Sequence, residues 1–236
     1  MYKKSTAIAG LLIGFLLSSL AIAQPYPNKP ISLVVPQTAG GTNDIVARLI
    51  APAFGEAIGA SVVVENRPGA GGNIGTQSVA RSAKDGYTLL LTINSAQAIN
   101  PALYKNPGFD PIKDFTPIAR VGELPFVLCV NNDLPVKTVQ ELIDYAKANP
   151  GKLSYGTPNS TSLVTTETIM FLTKIGMTQI PYKSSPQALT DLIGNQIQVY
   201  VADTGSGMAM IKAGKVRAIG LTGNRPYAQL PNVPPI

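Results

Sequence analysis

The sequence predicts an α/β fold built as two domains. Short apolar runs alternate with helical stretches, first between residues 31 and 97 and again between residues 125 and 222. Each run ends in a polar or glycine-rich loop. A proline-rich passage with prolines at 101, 107, 111 and 117 separates the two sets.

The stretch Ile31 to Arg48, ISLVVPQTAGGTNDIVAR, sets the pattern. Ile31 to Val35 is apolar and rich in branched residues, as a buried strand is. Pro36 ends it, because proline cannot donate to a ladder. Gly40 and Gly41 let the backbone approach a ligand closely. Thr42, Asn43 or Asp44 is expected to cap the following helix, with Ile45, Val46, Leu49 and Ile50 on its inner face. A helix N-terminus concentrates unpaired N–H groups and about half a positive charge, which suits a carboxylate or a phosphate. An ordinary strand-to-helix turn fits the same residues.

Ser61 to Glu65 reads as a second strand, followed by the glycine loop ENRPGAGGNIG and a helix from Ile74 to Ser82. The loop lacks dinucleotide spacing, since Ile74 stands where a third glycine belongs. It reads as a tight turn that shapes a cleft wall. Asp85-Gly86 is a turn, and Tyr87 to Ile93 is a third strand. Three strands alternating with two helices imply a parallel sheet, whose ligands sit beyond the carboxyl ends of the strands. Those ends here are the loops 37–43, 66–73 and 94–97.

The second set begins with a strand from Pro125 to Val130. Thr138 caps a helix to Ala148, with Glu141 completing a capping box. Strands at Leu153 to Tyr155, Gln179 to Tyr182, Gln196 to Val201 and Arg217 to Thr222 alternate with helices at 163–175, 186–193 and 208–213. The domains are therefore expected at 24–120 and 121–222, with 223–236 turning back toward the first.

Residues 1–23 read as an export signal. Lys3 and Lys4 precede an apolar run from Ala7 to Leu20, and Ala21-Ile22-Ala23 offers a cleavage site after Ala23. Glycine and serine break that run, which is short for a membrane span of roughly 20 residues. The expected address is the periplasm. The formal charge of +6 comes from scattered basic residues without a basic stripe, which argues against nucleic acid and suits a small anion. Cys129 is the single cysteine and lies in an apolar strand, so it reads as a buried small hydrophobe. The chain has no histidine, which removes histidine metal sites and Ser-His-Asp or Cys-His catalysis. Neither a metal nor an organic cofactor is expected.

Particular motifs point to a family. YPNKPISLVVP (26–36), GG-x-x-D-x-x-AR (40–48), VVVENRPGAGGNIG (62–75), NPALY (100–104), DPIKDFTPIA (110–119), PYK (181–183) and LPNVPP (230–235) follow one another through the chain. In these the chain resembles the Bug-type periplasmic solute-binding receptors of tripartite tricarboxylate transporters. The resemblance implies two α/β domains joined by a hinge and closing on a small carboxylate, a partner permease in the membrane, and a monomer.

Carried over by position, the resemblance nominates Thr38, Gly40, Gly41, Asn43, Asp44, Ser95 and Ala96 from the first domain. From the second it nominates Thr157, Asn159, Ser160, Tyr182, Lys183 and Asp203. Each hydroxyl or amide among them also suits a helix cap. Lys183 can pair with an acid. Asp203 sits poorly beside an anion and is better placed to read an amine, hydroxyl or water. Ser184, Leu163 and Pro158-Asn159 depart from the family pattern, which puts the pocket rim in question. Family members run on beyond LPNVPP and add strand and helix to the domain they left. This sequence stops at Ile236, so the resemblance implies a first domain incomplete at its C-terminal side.

The reading that follows is a receptor working by hinge closure, without catalytic residues. An exported α/β enzyme acting on a carboxylate and a ligand sensor of a signalling system are the alternatives. The sequence does not name the acid.

Overall fold

The computed structural model describes residues 25–236, and the export-signal reading of residues 1–23 lies outside them. The chain forms two sheets. The first is parallel and three-stranded, in the order β2-β1-β3, from β1 (Ile31–Val35), β2 (Val62–Asn66) and β3 (Thr88–Leu90). The central strand β1 is nearly sealed, with Val34 and Val35 fully buried. Each such valine contributes about 1.5 kcal/mol or more on burial.

Helices α1 (Thr42–Ile58) and α2 (Asn73–Ala80) connect these strands. A π-helical turn at Ser95–Ile99 runs into the short helix α3 (Asn100–Leu103), at the start of the proline-rich passage between the two sets. The first helix differs from expectation in two ways. Its N-cap is Gly41, which makes no side-chain bond, rather than Thr42, Asn43 or Asp44. Its buried face is Asn43, Asp44, Ala47 and Ala51, while Ile45 and Leu49 are 47% and 76% exposed. Small and polar residues let α1 sit close on its sheet, which turns the larger apolar side chains outward.

The second sheet has five strands in the order β6-β5-β7-β4-β8. These are β4 (Phe126–Val130), β5 (Ser154–Thr157), β6 (Thr178–Pro181), β7 (Val199–Asp203) and β8 (Arg217–Leu221). Strand β5 is parallel to β6 and β7, whereas β4 is antiparallel to both β7 and β8. Helices α4 (Val139–Ala148), α5 (Ser160–Thr173), α6 (Ser185–Ile193) and α7 (Thr204–Lys212) cover it. Core clusters lie on both faces, one around Leu128, Tyr155 and Val201 and the other around Cys129, Tyr200 and Leu192. Cys129 is buried, as its apolar neighbours predict.

Two helices begin earlier than the hydrophobic pattern indicates. Helix α5 starts at Ser160 rather than Leu163, and α7 at Thr204 rather than Met208. Both openings are polar or glycine-rich, so apolar periodicity is silent there, and the cap fixes the start instead. The box at Thr138 forms: Glu141 N–H donates to Thr138 Oγ1 at 3.1 Å, and Lys137 N–H donates to Glu141 Oε2 at 2.5 Å.

The chain enters the second sheet at Phe126. That residue pairs with Thr222 at the far end of β8, through Phe126 N–H to Thr222 Oγ1 and Thr222 N–H to Phe126 O. The last residues, Pro234 to Ile236, pair with Leu221.

Candidate functional site

The cleft between the two sheets is lined by strand-end loops from both. In the first lobe, Gly40 adopts a left-handed backbone with φ of +78°, and its N–H donates to Asp44 Oδ2 at 3.0 Å. Arg48 Nε donates to Asp44 Oδ1 at 2.9 Å and its guanidinium also reaches Asn66. Burial works to raise the Asp44 pKa, but the bonds from Arg48, Gly40 and Asn66 outweigh it and hold the carboxyl below its ordinary value. Asp44 therefore fastens the glycine loop to the helix it precedes.

Gln37 lies at the root of the same loop. Its Oε1 accepts from Asn43 Nδ2 at 2.7 Å, and its carbonyl accepts from Asn66. That orientation leaves Nε2 buried without a hydrogen-bond partner among the described residues. A Cβ at Gly72 would stand 3.3 Å from Gln37 Nε2 and 3.5 Å from Ala96 Cβ. All three strand-end loops of the first sheet therefore meet at this glycine. Ser95 and Ala96 are fully buried, and the Ser95 hydroxyl has no partner among the described residues.

The helix ends of the two lobes differ. In the second lobe every helix is capped by its own side chain: Thr138 caps α4, Asn159 caps α5, Ser184 caps α6 and Asp203 caps α7. In the first lobe neither α1, α2, α3 nor the π-turn has a side-chain cap. Helix α1 is the longest of these, and its glycine-capped first turn leaves N–H groups without a side-chain cap facing the cleft.

Three side-chain bonds cross the cleft. Thr42 donates to Asp203 Oδ1, Ser160 donates to Asn100 Oδ1 at 2.5 Å, and Thr161 donates to Asn94 Oδ1 at 3.3 Å. Asn100 is fully buried and also donates to Gly71 O and to Asn73 Oδ1. The Asp203 carboxylate accepts from Ser185 Oγ, Ser206 N–H and Ser206 Oγ as well as from Thr42. Four protein donors use the acceptor sites a carboxylate offers, so Asp203 acts as a cap and a cross-cleft acceptor.

Of the residues nominated from the sequence, Thr38, Gly41, Asn43, Asn159, Tyr182, Lys183 and Asp203 line one space of about 2320 Å³. That space continues down the open apolar face of the first sheet past Leu33, Ile50, Phe54, Leu89 and Leu91. Asp44, Ser95, Ala96, Thr157 and Ser160 are buried behind this lining, and Gly40 is exposed beside it. Thr157 accepts from Gln179, and Ser160 bonds Asn100. Tyr182 donates to Asp191 Oδ2 at 2.9 Å, and burial together with that carboxylate pushes its pKa to about 12. Lys183 makes no ion pair among the described residues.

Gln37, Thr42, Gln97 and Asn100 were not among the nominated residues. Gln37 and Gln97 lie in loops the sequence marks as strand ends, but their orientation depends on neighbours far along the chain. Asn100 sits in the NPALY motif, where its preceding position to a proline reads as a turn. Among the described residues, no group of three acidic or cysteine side chains is placed to hold a metal.

Residues 46–236 match the model of the tripartite tricarboxylate transporter family receptor. The chain belongs to that receptor family. Three solved structures are similar to this receptor over about nine-tenths of its length. Rpa4515 of R. palustris, with adipate, is 36% identical with a TM-score of 0.86, covering 90% of this chain and 72% of its own. The periplasmic binding protein BugD is 35% identical with a TM-score of 0.82, covering 89% and 71%. MatC from Rhodopseudomonas palustris, with bound malate, is 28% identical with a TM-score of 0.84, covering 89% and 72%.

The receptor thus has the two-lobe α/β fold of periplasmic binding proteins, and its family is one of transport receptors rather than enzymes. The alternative of an exported enzyme falls with that finding.

Proposed function

We propose that this receptor captures a small dicarboxylate in the periplasm by closing its lobes on it, and presents it as a monomer to a transporter permease in the membrane. The contrast in helix capping carries this reading. The second-lobe helices are self-capped, while α1 opens into the cleft with only Gly41 as its cap. One ligand carboxylate would accept from the first-turn N–H groups of α1 and from Gln37 Nε2. Lys183, unpaired on the opposite wall of the same space, would take the second carboxylate. The adipate and malate in the two related structures fit this chemistry.

Each contact is modest alone. A charge at a helix N-terminus contributes about 0.3–1 kcal/mol, more when partly buried. Closure makes them act together and removes them from water, where charge-assisted bonds strengthen. No bond is made or broken, so the receptor needs no catalytic group.

Deletion of the gene tests the transport role. Uptake of the bound acid is expected to fall to background and to return with a plasmid copy. Unchanged uptake in the deletion strain overturns it.

A further inference from the structure

Helices α1 and α7 meet end to end across the cleft. Thr42 is the first residue of α1, and it donates to Asp203, the N-cap of α7. Gly205, the second residue of α7, lies directly against it. A Cβ built on Gly205 would stand 2.7 Å from Thr42 Cβ, closer than such atoms approach, and the three nearest atoms all belong to Thr42.

Nothing in the backbone asks for glycine here. Gly205 lies inside the regular helix Thr204–Lys212 and is not among the positive-φ glycines. Alanine favours a helix interior by about 1 kcal/mol over glycine. The contact that excludes a side chain is therefore the one between the lobes. The Asp203 carboxylate is independently held by Ser185 and Ser206, so α7 cannot swing aside to make room without breaking its own cap.

We infer that Gly205 is a positioning residue that sets how far the two lobes close, and thereby sets affinity without touching the ligand. This rests on the hinge-closure reading above. A methyl at position 205 is a wedge between the lobes. Each lobe keeps its own fold, but the closed population shrinks. The apparent dissociation constant rises in proportion, because affinity scales with the fraction of binding-competent protein.

The test uses Gly205→Ala and the double variant Gly205→Ala/Thr42→Gly, which removes the atoms the methyl would strike. Spin labels on Glu56→Cys in α1 and Lys147→Cys in α4, both exposed positions, report the distance between lobes by pulsed EPR. Cys129 is buried and stays unlabelled. Without ligand, Gly205→Ala is expected to shift the distances away from those of the parent, and the double variant to restore them. The melting temperature of Gly205→Ala should change little, since alanine suits the helix while the wedge weakens the bonds across the cleft. With malate or adipate, whichever the parent binds, Gly205→Ala should raise the dissociation constant at least tenfold. A parent that binds neither acid while the distance shift and its restoration are seen sinks the dicarboxylate reading and supports the closure contact. Equal distances in parent and Gly205→Ala, with equal affinity where an acid binds, overturn the inference.

Discussion

The hydroxyl of Ser160 donates to the side-chain oxygen of Asn100 at 2.5 Å, joining the start of α5 in one lobe to the start of α3 in the other. Asn100 spends its amide on the first lobe, through Gly71 O at 3.0 Å and Asn73 Oδ1 at 2.6 Å. One buried side chain thus fastens the glycine loop 69–72 and offers its oxygen across the cleft.

Asn100→Ala leaves the half-buried Gly71 carbonyl, the buried Asn73 amide and the buried Ser160 hydroxyl without their partner. Each orphaned group costs about 1–3 kcal/mol, less what water regains. A loss of roughly 2–4 kcal/mol is expected in urea denaturation. Ser160→Ala touches only the cross-cleft bond, orphaning the one Asn100 oxygen, and is expected to cost less, about 1–2 kcal/mol. Equal losses in the two variants would contradict the division of labour assigned to Asn100.

Asp44 makes stability depend on pH at the acid end. Its folded pKa lies below its ordinary value of 3.8, so the stabilisation is fully present above that value. It is lost as pH falls through the lower, folded value. Asp44→Asn should therefore be less stable than the parent at pH 7, and the gap should close progressively below about pH 4. Thermal melts from pH 7 to pH 2.5 check this. A gap that widens on acidification would contradict the sign.

Lys183→Met removes the cation assigned to the second carboxylate while keeping the length of the side chain. Dicarboxylate affinity is expected to fall about 10- to 100-fold, or roughly 1.4–2.8 kcal/mol. Affinity for a monocarboxylate should change less than threefold. Calorimetry with a matched pair, adipate and hexanoate, reads the difference. Equal losses for both acids would place Lys183 outside the distal subsite.

Cys129 sits fully buried in β4, and burial pushes its thiol pKa up to about 12. The thiolate is the reactive form, so the native thiol should be inert at pH 8. Ellman's reagent is expected to label it only as fast as the protein opens, and at once in denaturant. Rapid labelling of native protein would contradict the packing around β4.

Much of the fold was legible in the sequence. Branched apolar runs at Ile31 to Val35 and Phe126 to Val130 fix strands through burial, which composition reports directly. Thr138 and Glu141 fix a helix start through a bond three residues long. What was hidden depends on partners distant in sequence. The outward turn of Leu49 follows from how closely Ala47 and Ala51 pack, and no local pattern carries it. The start of α7 passes through Gly205, Ser206 and Gly207, residues that read as loop. They are helical because Asp203 caps them, and Asp203 is itself held by Thr42, 161 residues away in sequence. The loops of the candidate site were legible as strand ends. The choice among their side chains was not, because Gln37 is oriented by Asn43 and Asn100 by two separate segments, 71–73 and Ser160.

The most direct test of the central claim is a thermal melt of residues 24–236, alone and with a panel of mono-, di- and tricarboxylates. A ligand at about 100 times its dissociation constant adds roughly 2.7 kcal/mol. For a chain of this size that is a rise of roughly 5–10 °C. The account predicts such a rise with at least one dicarboxylate and a clearly smaller one with its monocarboxylate counterpart at equal concentration. A cooperative melt that no dicarboxylate moves would contradict it.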